Sequence, residues 1–110
     1  MSSLDLAQIQ ELKEIMEDAF DDLISTYLKD SEEKLVKLNQ AISSQDSSEI
    51  AELAHSIKGA SANIFAEELS KLCRIVEDAG RANQVDNLSA DLDAINTEFA
   101  KVKSELKALS

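Results

Sequence analysis

The last quarter of the chain carries the most constraining pattern in the sequence, a run of apolar residues that step by 4, 3, 4, 3 and 4 positions. The run consists of Leu88, Leu92, Ile95, Phe99, Val102 and Leu106. Because an α-helix has ~3.6 residues per turn, this spacing places all of these side chains on one face, and we predict a helix over about 86–109. A coiled-coil seam has the same spacing. A bundle helix is favoured because three other amphipathic segments need a face to pack against.

The preceding segments also have helical periodicity, and little in the composition interrupts them. The 110 residues contain no Pro and only two Gly, so long helices can run without a break. Asp5 and Gln8 form a capping pair for a short first helix that ends near Glu17. Three more helices are predicted, over 19–43, 47–63 and 66–82. The predicted fold class is all-α, an up-and-down four-helix bundle with an additional short N-terminal helix, in a single domain over residues 1–110.

Two positions disturb these helical patterns. Ser31 lies where the apolar stripe of the second predicted helix requires an apolar residue, so we expect a kink or a locally open face there. In the fourth predicted helix, Gly80 and the residues that follow it are typical of a helix end.

Charge argues against several classes of partner. The chain has 22 acidic and 11 basic residues and a formal net charge of −11. Nucleic acids and anionic membrane surfaces both require clustered Lys and Arg, so neither is an expected partner. The start of the chain lacks the basic and apolar regions of a signal peptide, and no charge-free apolar run approaches the ~20 residues of a membrane span. We therefore expect a cytoplasmic protein.

Several kinds of chemistry also lack the residues they need. One His and one Cys cannot form a structural zinc site, and no Gly-rich phosphate loop is present to bind ATP. The single cysteine, Cys73, lies at a core position of the fourth predicted helix. We expect it to pack as a small hydrophobic residue and not to act as a nucleophile.

The only His, His55, lies on the polar side of the third predicted helix. It is roughly 160° from the middle of the apolar face. Lys58 and Gly59 follow at i+3 and i+4 and share its surface. Gly inside an amphipathic helix costs ~1 kcal/mol relative to Ala, and because Gly59 faces away from the core we attribute it to close approach by a partner. Periodicity alone is equally compatible with a solvated His that has no function. The same surface includes Ser48, Ala51, Glu52 and Ala62.

The run from His55 to Asn63, His-Ser-Ile-Lys-Gly-Ala-Ser-Ala-Asn, resembles the signature of histidine-containing phosphotransfer (HPt) domains. The resemblance covers about residues 5–108 and is strongest over 54–81. One position departs from it, because the family usually has Gly ten residues after the His, where this chain has Phe65. Further similar residues are Leu69, Leu72, Cys73, Val76, Glu77, Gly80 and Arg81.

The resemblance implies a phosphorelay intermediate in two-component signalling. His55 is then the phospho-acceptor, which takes a phosphoryl group from an aspartyl phosphate of a receiver domain and passes it to another receiver Asp. Neutral imidazole is a good nucleophile near physiological pH. Lys58 stabilises the phosphate charge and Gly59 gives the partner access. Glu77 and Arg81 match positions across the helical hairpin from the His, where Arg81 assists with phosphate and Glu77 orients, although solvated surface charge is the simpler interpretation of each.

The same resemblance implies the partners, which are receiver domains of hybrid sensor histidine kinases and of response regulators. They supply the Asp and the Mg²⁺, so we expect this chain to bind no cofactor or metal and to have no kinase activity of its own. Docking is expected on an apolar patch near His55, with Ile15, Met16 and Phe20 as candidates. A monomer of the stand-alone bacterial type is expected, although the 4-3 repeat of the last helix leaves dimerisation open.

Two alternatives stay open on the residues. One is a non-catalytic helical adaptor that binds a signalling partner through the His55 face. An adaptor tolerates His55→Gln, whereas a phosphotransfer protein loses its function and keeps its fold. The other is the phosphotransfer module of a larger kinase, which is disfavoured because the chain starts at Met1 and shows no terminal linker.

Overall fold

The computed structural model describes residues 2–109, which form five α-helices. They are α1 (Leu6–Met16), α2 (Ala19–Ser43), α3 (Ser47–Asn63), α4 (Glu67–Arg81) and α5 (Ser89–Leu109). Helices α2 to α5 form an up-and-down bundle in which successive helices pack together and α2 closes against α5, while α1 packs on α2. The predicted fold class is confirmed. Helices α2 and α3 have the predicted boundaries, and α4 is one residue shorter at each end.

The apolar residues of the 4-3 repeat face the chain's own core. All six are at most 7 % exposed, which confirms a bundle helix and not an exposed seam. Helix α5 begins at Ser89, three residues later than predicted. Residues 86–87 form a turn, with Val85 and Leu88 buried on either side of it. The apolar pattern therefore starts before the helix does, and the first helical hydrogen bond runs from Leu92 N–H to the Leu88 carbonyl at 2.9 Å.

Helix α2 continues through Ser31 without a break. Ser31 is only 2 % exposed, so the expectation of a locally open face is wrong. Close by, the Tyr27 and Ser61 hydroxyls form a buried hydrogen bond of 2.8 Å between α2 and α3. Burial raises the pKa of Tyr27 to about 12, and hydrogen bonds with Ser61 and Ser31 offset part of that rise. Ser31 interrupts the apolar stripe because it belongs to this buried polar cluster.

Helices α2, α3 and α4 end in the same way. The residue after each C-cap has a left-handed φ, 56° at Gln45, 64° at Phe65 and 55° at Asn83. After α3, Phe65 N–H bonds to the Ala62 carbonyl at 3.1 Å, and the next N–H bonds to the Ser61 carbonyl at 2.9 Å. This pattern is the Schellman motif, in which Gly is the usual residue at the left-handed position. Phe65 therefore takes the backbone conformation that a Gly at this junction favours.

The N-terminal segment closes the end of the bundle where α3 meets α4. Asp5 N–H donates to the Phe65 carbonyl at 3.0 Å. The Glu105 carboxylate of α5 accepts hydrogen bonds from the backbone N–H of Ser3 at 2.8 Å and of Leu4 at 3.2 Å. These contacts fix the segment that leads into α1 against the bundle.

Candidate functional site

His55 lies near the middle of α3, on the side of that helix that faces away from the core. Ile50, Ala54 and Ile57 of the opposite side are completely buried, whereas the His55 side chain is 61 % exposed. The predicted position on the polar face is confirmed. The ring is nevertheless held, because Nδ1 has a hydrogen-bond partner, while Nε2 has none among residues 2–109.

The partner of His55 Nδ1 is Glu77 of α4, whose side chain is only 5 % exposed. Glu77 Oε2 lies 2.9 Å from His55 Nδ1, and Oε1 accepts a hydrogen bond from Lys58 Nζ at 2.6 Å. The Arg81 guanidinium donates to Oε2 from Nη2 at 2.7 Å and from Nε at 3.1 Å. The structure thus brings these predicted site residues together on one carboxylate. The interpretation of Glu77 as solvated surface charge is wrong, whereas Arg81 is 59 % exposed but paired.

The surroundings of Glu77 keep its carboxylate ionised. Burial alone would raise the pKa of Glu77, but hydrogen bonds from Lys58, Arg81 and His55 outweigh burial and lower the pKa from 4.5 to about 2. An ionised carboxylate can only accept hydrogen bonds, so Nδ1 of His55 carries the proton that the two groups share. In a neutral imidazole the lone pair is then on the other nitrogen. Nε2 is therefore the nucleophilic nitrogen of a side chain that is 61 % exposed.

Helix α4 brings Glu77 to His55 because α4 crosses α3 at a glycine. Gly80 is buried in the last turn of α4, which ends at Arg81, so the prediction that Gly80 and the residues after it mark the helix end is confirmed. A Cβ on Gly80 would lie 2.9 Å from Ala51 N and 2.9 Å from the Ser47 carbonyl oxygen, both backbone atoms of α3. Ala51 is 5 % exposed, so its predicted place on the open His55 surface is wrong.

Gly59 occupies the opposite environment. A Cβ on Gly59 would have no heavy atom within 4 Å, which confirms that packing inside this chain does not require the glycine. Its neighbour Lys58 is 28 % exposed, since its ammonium reaches across to Glu77. The surface one turn beyond His55 is consequently open and has no side chain of its own.

The three apolar candidates for partner docking differ in exposure. Phe20 is 1 % exposed and belongs to the core, so it cannot contribute a docking surface and that expectation is wrong. Met16 is half-buried and packs against the core. Ile15 is 72 % exposed and is the one of the three that a partner can reach.

The sequence matches the family model described as "Hpt domain" over residues 22–109, a span that includes all but the first three residues of α2, all of α3 to α5 and the whole His55 site. The chain belongs to the HPt domain family. Its structure is similar to the crystal structure of histidine-containing phosphotransfer protein B (HptB) from Pseudomonas aeruginosa PAO1. The two have a TM-score of 0.91 and 33 % sequence identity, and the match covers 96 % of this chain and 92 % of that one. No curated protein sequence matches the chain significantly.

As an HPt protein, the chain is a phosphorelay intermediate in two-component signalling. Its other reactive side chain, Cys73, is buried in the core as predicted, and burial raises the pKa of the thiol to about 12. Among residues 2–109, no group of three or more His, Cys, Asp or Glu side chains is arranged to hold a metal ion. No helix in this part of the chain has the length and apolar character that crossing a membrane requires.

Proposed function

We propose that Nε2 of His55 is the atom that carries the phosphoryl group in this HPt protein. The Nε2 lone pair attacks the phosphorus of an aspartyl phosphate in a receiver domain. The N–P bond forms as the P–O bond to the Asp carboxylate breaks, and the carboxylate leaves. The reverse reaction, with the Asp of a second receiver, passes the group on. The observation that carries this proposal is the contact between Nδ1 and the ionised Glu77, which leaves Nε2 free.

Glu77 is a positioning residue in this proposal. When Nε2 bonds to phosphorus while Nδ1 keeps its proton, the imidazole ring gains a positive charge. A carboxylate 2.9 Å from Nδ1 stabilises that charge in the transition state and in the product. A positively charged ring is also the better leaving group in the onward transfer. One contact therefore assists the reaction in both directions.

Lys58 and Arg81 supply positive charge beside the acceptor. Each has more N–H donors than its bonds to Glu77 use, and their side chains are 28 % and 59 % exposed. Both can therefore donate to phosphoryl oxygens and stabilise the charge of the phosphate. Gly59 gives the receiver domain room to approach, because no side chain stands one turn beyond His55.

The partners are receiver domains of hybrid sensor histidine kinases and of response regulators. A receiver contributes the Asp that donates or accepts the phosphoryl group, and we expect it to supply the Mg²⁺ that stabilises charge on the transferring phosphate. This chain needs no nucleotide for such a reaction. We expect a cytoplasmic monomer without kinase activity of its own.

Phosphotransfer from a phosphorylated receiver domain to the purified protein tests the proposal, with His55→Gln as the control. Wild type should take up label that is acid-labile and alkali-stable, as phosphohistidine is. His55→Gln should take up none and give the same helical circular dichroism. Label on the variant would show that His55 is not the acceptor, and binding of receivers without any transfer would favour the adaptor function.

The choice of nitrogen has a test of its own. Nitrogen NMR of the His55 ring should show the proton on Nδ1 in the free protein and phosphorus coupling to Nε2 after transfer. Phosphorus on Nδ1 would overturn the assigned role of Glu77 while leaving His55 as the acceptor.

A further inference from the structure

An open groove with a volume of about 440 Å³ lies beside the His55 site, on the surface between α3 and α4. On the α3 side it is lined by Lys58, Gly59 and Ala62, and on the α4 side by Lys71 and Arg74. Because Gly59 has no side chain and Ala62 has a single methyl group, the α3 side beyond Lys58 carries no long side chain. The groove is continuous with the site, since Lys58 also contacts the carboxylate that holds His55.

The charge of this groove differs from that of the molecule as a whole. Three of the 11 basic residues line it, in a chain of net charge −11. The acid at its inner end, Glu77, is already paired with Lys58 and Arg81. The other acid, Asp78, is 3.9 Å from Arg74 with both side chains about 70 % exposed, a geometry that neutralises little. Lys71 is exposed and has no ion pair among residues 2–109.

The chemistry of the partner indicates what such a groove can bind. A receiver that holds Mg²⁺ beside its phospho-accepting Asp needs several oxygen ligands there, and carboxylates are the usual ones. The face of the receiver that meets His55 is therefore acidic. An acidic face is repelled by a protein of net charge −11 except where basic side chains are concentrated.

We propose that the α3–α4 groove receives the acidic rim around the receiver's Asp, and that Lys71 and Arg74 guide this encounter. The inference rests on the proposed function of His55. Charges at the rim of an interface change the association rate and its salt dependence more than they change chemistry. Lys71 and Arg74 accordingly select and orient receivers and take no part in the transfer of phosphorus.

The test compares two double variants of equal net charge. Lys71→Glu with Arg74→Glu reverses the groove, and Lys29→Glu with Lys101→Glu reverses two exposed lysines outside it. Transfer is measured from a phosphorylated receiver that labels the wild type, at low and at high ionic strength. The groove variant should transfer about tenfold more slowly than wild type at low ionic strength and approach wild type at high salt, while the control variant stays within about twofold throughout.

Direct labelling by a small phosphoramidate separates this inference from the proposed function, because a small donor needs no docking. Both double variants should accept phosphoryl from it as wild type does. His55→Gln should accept from neither donor, and label on this variant would refute His55 as the acceptor. An equal loss of transfer rate from the receiver in both double variants would assign the effect to net charge and would contradict the proposed role of the groove.

The opposite side of His55 provides a further comparison. Lys34 of α2 donates to Ser56 at 2.7 Å and flanks the site away from the groove. If Lys34→Glu slows transfer as described while the groove variant does not, the acidic rim lies over α2 and the inference is wrong. Circular dichroism of all variants should match wild type, since each substituted side chain apart from Lys34 is exposed.

Discussion

The two glycines of this chain lie on neighbouring helices and serve opposite purposes. At Gly80 the backbones of α4 and α3 are so close that a Cβ would meet atoms at 2.9 Å, whereas at Gly59 a Cβ would meet nothing within 4 Å. Neither glycine has a positive φ, and the residues between 2 and 109 that do are Glu17, Gln45, Phe65 and Asn83. Both glycines are thus explained by the missing side chain and not by backbone freedom.

The contrast separates what holds the site together from what leaves it accessible. The close crossing at Gly80 lets Glu77 reach His55 from inside the hairpin. The open surface at Gly59 leaves space on the side from which a partner approaches. A substitution at Gly80 should therefore affect the protein alone in solution, and a substitution at Gly59 should affect chiefly the complex.

The largest expected effect is that of Gly80→Ala. The added Cβ meets backbone atoms that cannot turn away, so the free energy of unfolding should fall by about 2–3 kcal/mol, as in overpacked cores. Urea denaturation measures it, with Gly59→Ala as the matched substitution. A loss below about 0.5 kcal/mol would mean that the helices separate at little cost, and the contrast between the two sites would disappear.

Glu77→Gln tests the contact between the Glu77 carboxylate and His55, which the close crossing at Gly80 allows. Gln keeps the size of the side chain but cannot stabilise the positive charge of the reacting ring, so the single-turnover transfer rate should fall about tenfold. The exposed neighbour supplies the control, because Asp78→Asn removes the same charge without touching His55. Equal single-turnover transfer rates in wild type and Glu77→Gln would show that Glu77 has only a structural role.

The same carboxylate predicts an acid-dependent stability. Because the pKa of Glu77 is lowered from 4.5 to about 2 on folding, its ionised form stabilises the folded state. That contribution is complete above about pH 4.5 and is lost as the pH falls towards about 2. Urea denaturation of wild type and Glu77→Gln should give a higher free energy of unfolding for wild type at pH 6. The difference between the two proteins should shrink as the pH falls towards about 2. A difference in the free energy of unfolding that does not change with pH would contradict the lowered pKa of Glu77.

Gly59→Ala should have the smallest effect on the fold, and with the opposite sign. Ala is the better helix former, and nothing obstructs its methyl group, so the free energy of unfolding should rise by about 0.5–1 kcal/mol. Transfer from a receiver should slow at the same time, while labelling by a small phosphoramidate should not. A variant that is more stable and also faster would show that the open surface is not needed by the partner.

The bundle and the orientation of His55 could be predicted from the sequence because both follow from local periodicity. The 4-3 repeat requires a buried face wherever its partner helices lie. Asp46 caps α3 by accepting from Glu49 N–H at 3.1 Å and so marks where the helix begins, and burial of Ile50, Ala54 and Ile57 turns His55 outward. Features of this kind depend on residues within a few turns of one another.

The rest depends on distances between helices, which periodicity does not contain. Ser31 could not be understood without the Tyr27–Ser61 hydrogen bond beside it. Glu77 did have a sequence signal, since it follows the buried Cys73 by four residues and precedes Gly80 by three, on the stripe that faces inward. Its charge concealed that position, because a buried carboxylate is stable only with partners that α3 and the next turn of α4 supply.

The anchoring of Nδ1 also bears on how a brief encounter succeeds. An exposed His on a helix ordinarily samples several rotamers, and either nitrogen can face solvent. Here Glu77 holds Nδ1, and Lys58 and Arg81 hold Glu77, so the rotational freedom of the ring is given up during folding and not during each collision. A protein that binds this surface therefore always meets Nε2 of His55 in the same orientation. A carrier that exchanges one group with more than one protein can in this way stay unspecialised in its chemistry, and leave the choice of partner to the charges around it.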